Sequence, residues 1–147
     1  MTLPGDGEIC GQEEVLARGI TSFHLYNGVI TEKLFKGKEV SVNRLLKMNL
    51  EESIVCFKKD LPRPQENLTY WGHALLKVAQ LLDSAQKHKQ TAKGFNADIA
   101  AVYRPLENNL GHSQLEPNIP TGFAKRFTEE TKQRGDIFPD NPTAAWS

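Results

Sequence analysis

The chain has 147 residues, 39% of them hydrophobic, with 18 basic side chains balanced by 18 acidic ones, and this length suits one globular domain of the usual roughly 100–150 residues. No apolar run approaches the ~18–20 residues of a membrane span, and the stretch from Met1 to Glu8 has neither the basic nor the apolar part of a secretory signal, so a soluble cytoplasmic protein with no membrane partner is expected. Cys10 and Cys56 are too few for a disulfide framework and form no Cys-x-x-Cys pair, which points to reduced thiols.

Residues 1–12 are glycine-rich and polar and read as a flexible lead-in, because few apolar groups are present to offset the entropy of ordering. Two β-prone runs, Ile20 to Tyr26 and Val29 to Phe35, flank Asn27-Gly28, the dipeptide best suited to the positive φ of a type I′ turn. A β-hairpin is predicted. Ser41 is placed to cap a helix through Val42, Leu45, Leu46 and Met48, and Asn49 with Glu52 resembles a reciprocal cap at the start of another. Leu46, Leu50, Ile54 and Phe57 make a helical stripe, although Ser53 to Phe57 also suits a strand.

From Thr69 to about Gln90, the four-three-four-three spacing of Trp71, Leu75, Val78, Leu82 and Ala85 predicts the central helix of the fold. A further helix is expected after Asn96, carrying Ile99, Val102, Tyr103 and Leu106, and another over Thr121 to Arg134, ended by Gly135. Residues 136–147 are broken by Pro139 and Pro142 yet hold Ile137, Phe138 and Trp146. Disordered segments are poor in aromatics, so this arm is expected to dock, either on its own domain or on a partner.

Charge is unevenly spread: residues 1–32 carry a net −4, residues 33–93 a net +6 and residues 94–147 a net −2. Lys33, Lys36, Lys38, Lys58, Lys59, Lys87 and Lys89 are the residues that would hold a polyanion such as nucleic acid. The opposing reading makes them solvated faces of amphipathic helices. His24, His73, His88 and His112 show no metal-ligand spacing, so no metal is expected. The phosphate loop, dinucleotide fingerprint and nucleophile elbow are absent, and no cofactor is expected.

Lys36-Gly37-Lys38 followed by Leu45-Leu46, Met48 and Glu51-Glu52 resembles a short stretch of the damage-recognition ATPase subunit of bacterial excision repair. That family's ATP-binding loop, signature motif and zinc cysteines have no counterpart here, and no functional residue carries over.

The expected fold is α+β: an amino-terminal β-hairpin packed on a bundle of three or four helices, followed by a partly extended carboxyl-terminal arm. Residues 13–135 form the single globular domain of this reading. The expected function is a non-catalytic interaction or assembly protein that docks a protein partner, or itself, through Ile137, Phe138 and Trp146. A nucleic-acid-associated protein is one alternative. Another is a small enzyme whose site unites His24, His73 or His112 with Arg104 or Tyr103 from distant segments.

Overall fold

The computed structural model describes residues 2–140. In chain order the elements are β1 (Val15–Thr21), β2 (Leu25–Tyr26), β3 (Val29–Ile30), β4 (Val40–Arg44), α1 (Leu50–Asp60), β5 (Tyr70–Lys77), α2 (Val78–Thr91), β6 (Ala100–Tyr103), β7 (His112–Glu116), α3 (Thr121–Arg134) and β8 (Ile137–Pro139). Six strands form one sheet in the order β6-β7-β4-β1-β5-β8, and each neighbouring pair is antiparallel.

Period-two alternation gives this sheet its main buried face. Leu16 and Ile20 of β1, Val40 and Val42 of β4, and Ala74 and Leu76 of β5 are buried together with Leu81 and Ala85 of α2 and Phe123 and Phe127 of α3. The two phenylalanines stack on one another and Phe127 meets Phe35 edge-on at 4.9 Å between ring centres, so α3 is held by aromatic contacts as well as by area. α1 covers the opposite face. A Cβ on Gly19 of β1 would stand 2.4 Å from Leu61 Cδ1 and 3.0 Å from the Phe57 ring, so the missing side chain is what lets α1 approach.

The hairpin-and-bundle arrangement is overturned by this sheet. Around Asn27 (φ 50°) and Gly28 (φ 77°), only two residue pairs, Leu25 with Ile30 and Tyr26 with Val29, face each other. The residues expected to lengthen that hairpin go elsewhere, into β1 and into a 3-10 turn at Glu32–Leu34. The central helix expected from Thr69 begins only at Val78. Residues 70–77 are a strand in which Gly72, Ala74 and Leu76 are buried, while Trp71 and Leu75 lie half-buried on the other face. The four-residue steps therefore do not form one buried stripe with Val78 and Leu82. Ser41 and Val102, assigned to helices from spacing, sit in β4 and β6.

α1 is capped reciprocally: Glu52 N–H donates to Asn49 Oδ1 at 2.8 Å and Asn49 N–H to Glu52 Oε1 at 3.2 Å. The lead-in runs beside β6, with Gly7 N–H donating to the Tyr103 carbonyl, Tyr103 N–H to that of Glu8 and Cys10 N–H to that of Ala101. It thereby covers an edge that would otherwise present unpaired backbone groups. Arg44 anchors this segment, donating from Nε and Nη2 to both oxygens of Glu14 at 2.6 and 2.9 Å and pairing with Glu8. Among the described residues no helix is long and apolar enough to cross a membrane.

Candidate functional site

β4 pairs with β7 along four residues, setting Ser41 against Gln114 and Asn43 against His112. Side chains two apart on a strand share a face, so Ser41, Asn43, His112 and Gln114 project from the face that α1 partly covers. From its place opposite Asn43, the His112 ring reaches diagonally to Ser41, a span within reach of a long side chain.

The hydrogen bonds fix the ring's tautomer. Nδ1 lies 2.8 Å from the Arg104 carbonyl, which can only accept, so the proton of the neutral ring resides on Nδ1. Nε2 is then an acceptor, and the Ser41 hydroxyl, 3.2 Å away, donates to it. A hydroxyl, an imidazole base and a carbonyl that orients the base stand in one line. Ser41 and His112 are both half-buried and open on a cleft of about 390 Å³.

The cleft lies above the point where β1 and β4 part, since these strands pair only through Leu16 with Arg44 and Ala17 with Asn43. Arg18 bridges the gap beyond, donating from Nε to the Leu34 carbonyl at 2.9 Å and from Nη1 to the Ser41 carbonyl at 2.8 Å. Burial pulls its guanidinium down to about 10, which leaves it a cation at neutral pH. Apolar walls come from Phe57, Leu61 and Leu106. Cys56 also lines the cleft, but burial pushes its thiol up, which keeps it protonated and a weaker nucleophile.

Comparison with protein-family models, curated proteins and solved structures yields no match to this chain.

Of the residues considered for a distant-segment site, the structure brings His112 to Ser41 and to the backbone of Arg104. The Arg104 guanidinium turns away to both oxygens of Glu116 at 3.0 Å, and the Tyr103 hydroxyl donates to the Leu110 carbonyl at 2.6 Å. His24 is buried beside Arg18, and His73 stacks on Phe138 with 5.1 Å between ring centres. These two rings belong to other neighbourhoods. Ser41, Asn43 and Asn109 are the residues that sequence reasoning missed; the alternation Val40-Ser41-Val42-Asn43 between β-branched and polar side chains was the signal for them.

The seven lysines do not share one face. Lys58 and Lys59 end α1 on one side of the sheet, whereas Lys87 and Lys89 lie on α2 on the other; Lys33, Lys36 and Lys38 flank the turn before β4. Several are locally engaged: Lys33 lies over the Phe23 ring, Lys58 pairs with Asp140 at 3.2 Å and Lys87 with Asp83 at 3.0 Å. Of the arm residues, Ile137 packs against the core and Phe138 is 39% exposed, while Trp146 lies outside the described residues. A second cavity of about 460 Å³, between the end of α2 and the start of α3, is lined by His88, Phe95 and Phe123. There His88 Nδ1 accepts from Arg126 Nε at 3.2 Å, so the base is already engaged.

Proposed function

We propose that the chain is a small acyl-transfer enzyme that hydrolyses an ester-like substrate through Ser41 and His112. The observation that carries this reading is the Nδ1 contact with the Arg104 carbonyl, which leaves Nε2 to accept the Ser41 proton inside a cleft.

In the first half-reaction Ser41 Oγ bonds to the acyl carbon as its proton passes to Nε2, and the carbonyl π pair moves onto oxygen. The imidazolium so formed is stabilised by the Arg104 carbonyl at Nδ1. Collapse breaks the carbon–alkoxide bond, and the leaving alkoxide takes the proton from Nε2. Water then attacks the acyl-serine, giving its proton to His112, which returns it to Ser41 as the acid departs. The volume and the walls of Phe57, Leu61 and Leu106 suit a compact substrate with an apolar portion. Two free cysteines fit a reducing compartment, and the cytoplasm is the proposed location.

Saturable hydrolysis of p-nitrophenyl acetate by the full chain tests this reading. Ser41→Ala and His112→Ala are each expected to lower kcat by roughly 100-fold or more. Equal turnover by wild type and Ser41→Ala would overturn it.

A second reading keeps the chain as an interaction protein that docks a protein partner or a second copy through residues 136–147. Its support is Phe138, part-exposed on the edge strand β8 and backed by His73. Sedimentation of the full chain beside Phe138→Ala tests it, an unchanged association state in the variant counting against it.

A further inference from the structure

Acyl transfer needs a donor for the negative charge that develops on the carbonyl oxygen, and Asn43 shares with Ser41 the face of β4 that lines the cleft. Gly111 N–H donates to Asn109 Oδ1 at 3.3 Å, which fixes that amide with its nitrogen toward Asn43. Asn109 Nδ2 donates to Asn43 Oδ1 at 2.8 Å, in a fully buried pair. The orientation of the second amide is thus set by the first, and both by the backbone. Asn43 Nδ2 is left with two hydrogens and one contact, the thioether of Met48 at 3.7 Å, which is a weak acceptor. Asn43 is 1% exposed, lines the cleft and stands two residues from Ser41 on the same face of β4.

We infer that Asn43 is a further catalytic residue, its Nδ2 hydrogen-bonding the substrate oxygen as the tetrahedral intermediate forms, with Asn109 as its positioning residue. The inference rests on the acyl-transfer reading. A donor already oriented before substrate arrives needs no reorganisation during the reaction, which is why such groups act chiefly on kcat. The loop from Pro105 to Leu110 gains a role as well: Asn109 is its one buried polar side chain and ties the loop to the strand that bears the nucleophile.

The experiment is steady-state hydrolysis of p-nitrophenyl acetate by the full chain and by Asn43→Asp, Asn109→Ala and Ser41→Ala, with folding checked by thermal unfolding. Asn43→Asp keeps the shape and removes the donor; kcat should fall roughly 100- to 1,000-fold with KM changed less than about threefold. Asn109→Ala keeps the donor and removes what orients it, so an approximately tenfold loss in kcat is expected, again with KM held. Should Asn43→Asp not fold, Asn109→Ala decides the matter alone. Wild-type kcat in either folded variant overturns the inference while an inactive Ser41→Ala leaves the acyl-transfer reading standing; an active Ser41→Ala removes both.

Discussion

His24 shows how far burial and neighbouring charge can set the chemistry of one residue. Its Nδ1 accepts from Thr21 N–H at 3.0 Å, Arg18 Nη2 lies 3.3 Å from Nε2, and burial, then the charges of Arg18 and Lys33, hold the ring neutral down to about 3. In the unfolded chain it titrates near the ordinary value of about 6.5. Between these two values the unfolded chain binds a proton that the folded chain refuses, so stability is fully present above about 6.5 and falls as pH drops, by up to ~1.4 kcal/mol per pH unit from this group. His73 and His88, also lowered by burial, act in the same direction. His24→Gln is therefore expected to flatten, without abolishing, the decline of the unfolding midpoint between pH 6.5 and 5. An equally steep decline in the variant would contradict the buried, neutral assignment.

At the scale of elements, β5 and α2 explain both a strength and a failure of sequence reading. The strand passes into the helix at Lys77-Val78 with no glycine or proline between them, so Trp71, Leu75, Val78 and Leu82 keep helical spacing across a boundary that has no punctuation. Gly72, Ala74 and Leu76 carried the competing period-two signal, and cross-strand pairing decided between them. α3, by contrast, stands between Pro120 and Gly135 and was legible with its termini. Leu81, fully buried in α2, tests the packing: Leu81→Ala should cost about 2–5 kcal/mol in chemical unfolding, and a cost near zero would mean that α2 does not cover the sheet. Gly72 tests the edge, since a Cβ there would lie 2.3 Å from the Phe138 carbonyl oxygen and 2.8 Å from Pro139 Cα. Gly72→Val should release β8, exposing the amide of Asp140, which donates to the Trp71 carbonyl, to rapid hydrogen exchange; wild-type protection at that amide would count against the pairing.

Across the whole molecule, the site exists only because the sheet is built from distant pairings. Ser41 and His112 are 71 residues apart in sequence, and the two strands that carry them, β4 and β7, are neighbours in the strand order. His112 and Arg104 were legible as candidates from residue type, but Ser41 was read as a helix cap, because the alternation of Val40 and Val42 with Ser41 and Asn43 is too short to outweigh the helical spacing of the apolar residues that follow. The same pairing parts β1 from β4 beyond Ala17 and Asn43, and this opens the cleft beneath α1. A nucleophile, its base and the space for a substrate thus follow from one topological feature. The most direct test is the intact mass of the full chain after exposure to a fluorophosphonate, followed by peptide mapping, since such reagents react far faster with a serine hydroxyl activated by a neighbouring base than with an ordinary one. One adduct on Ser41, lost in His112→Ala, is the expected result; an unlabelled chain, or labelling of Ser41 that persists without His112, would contradict the account.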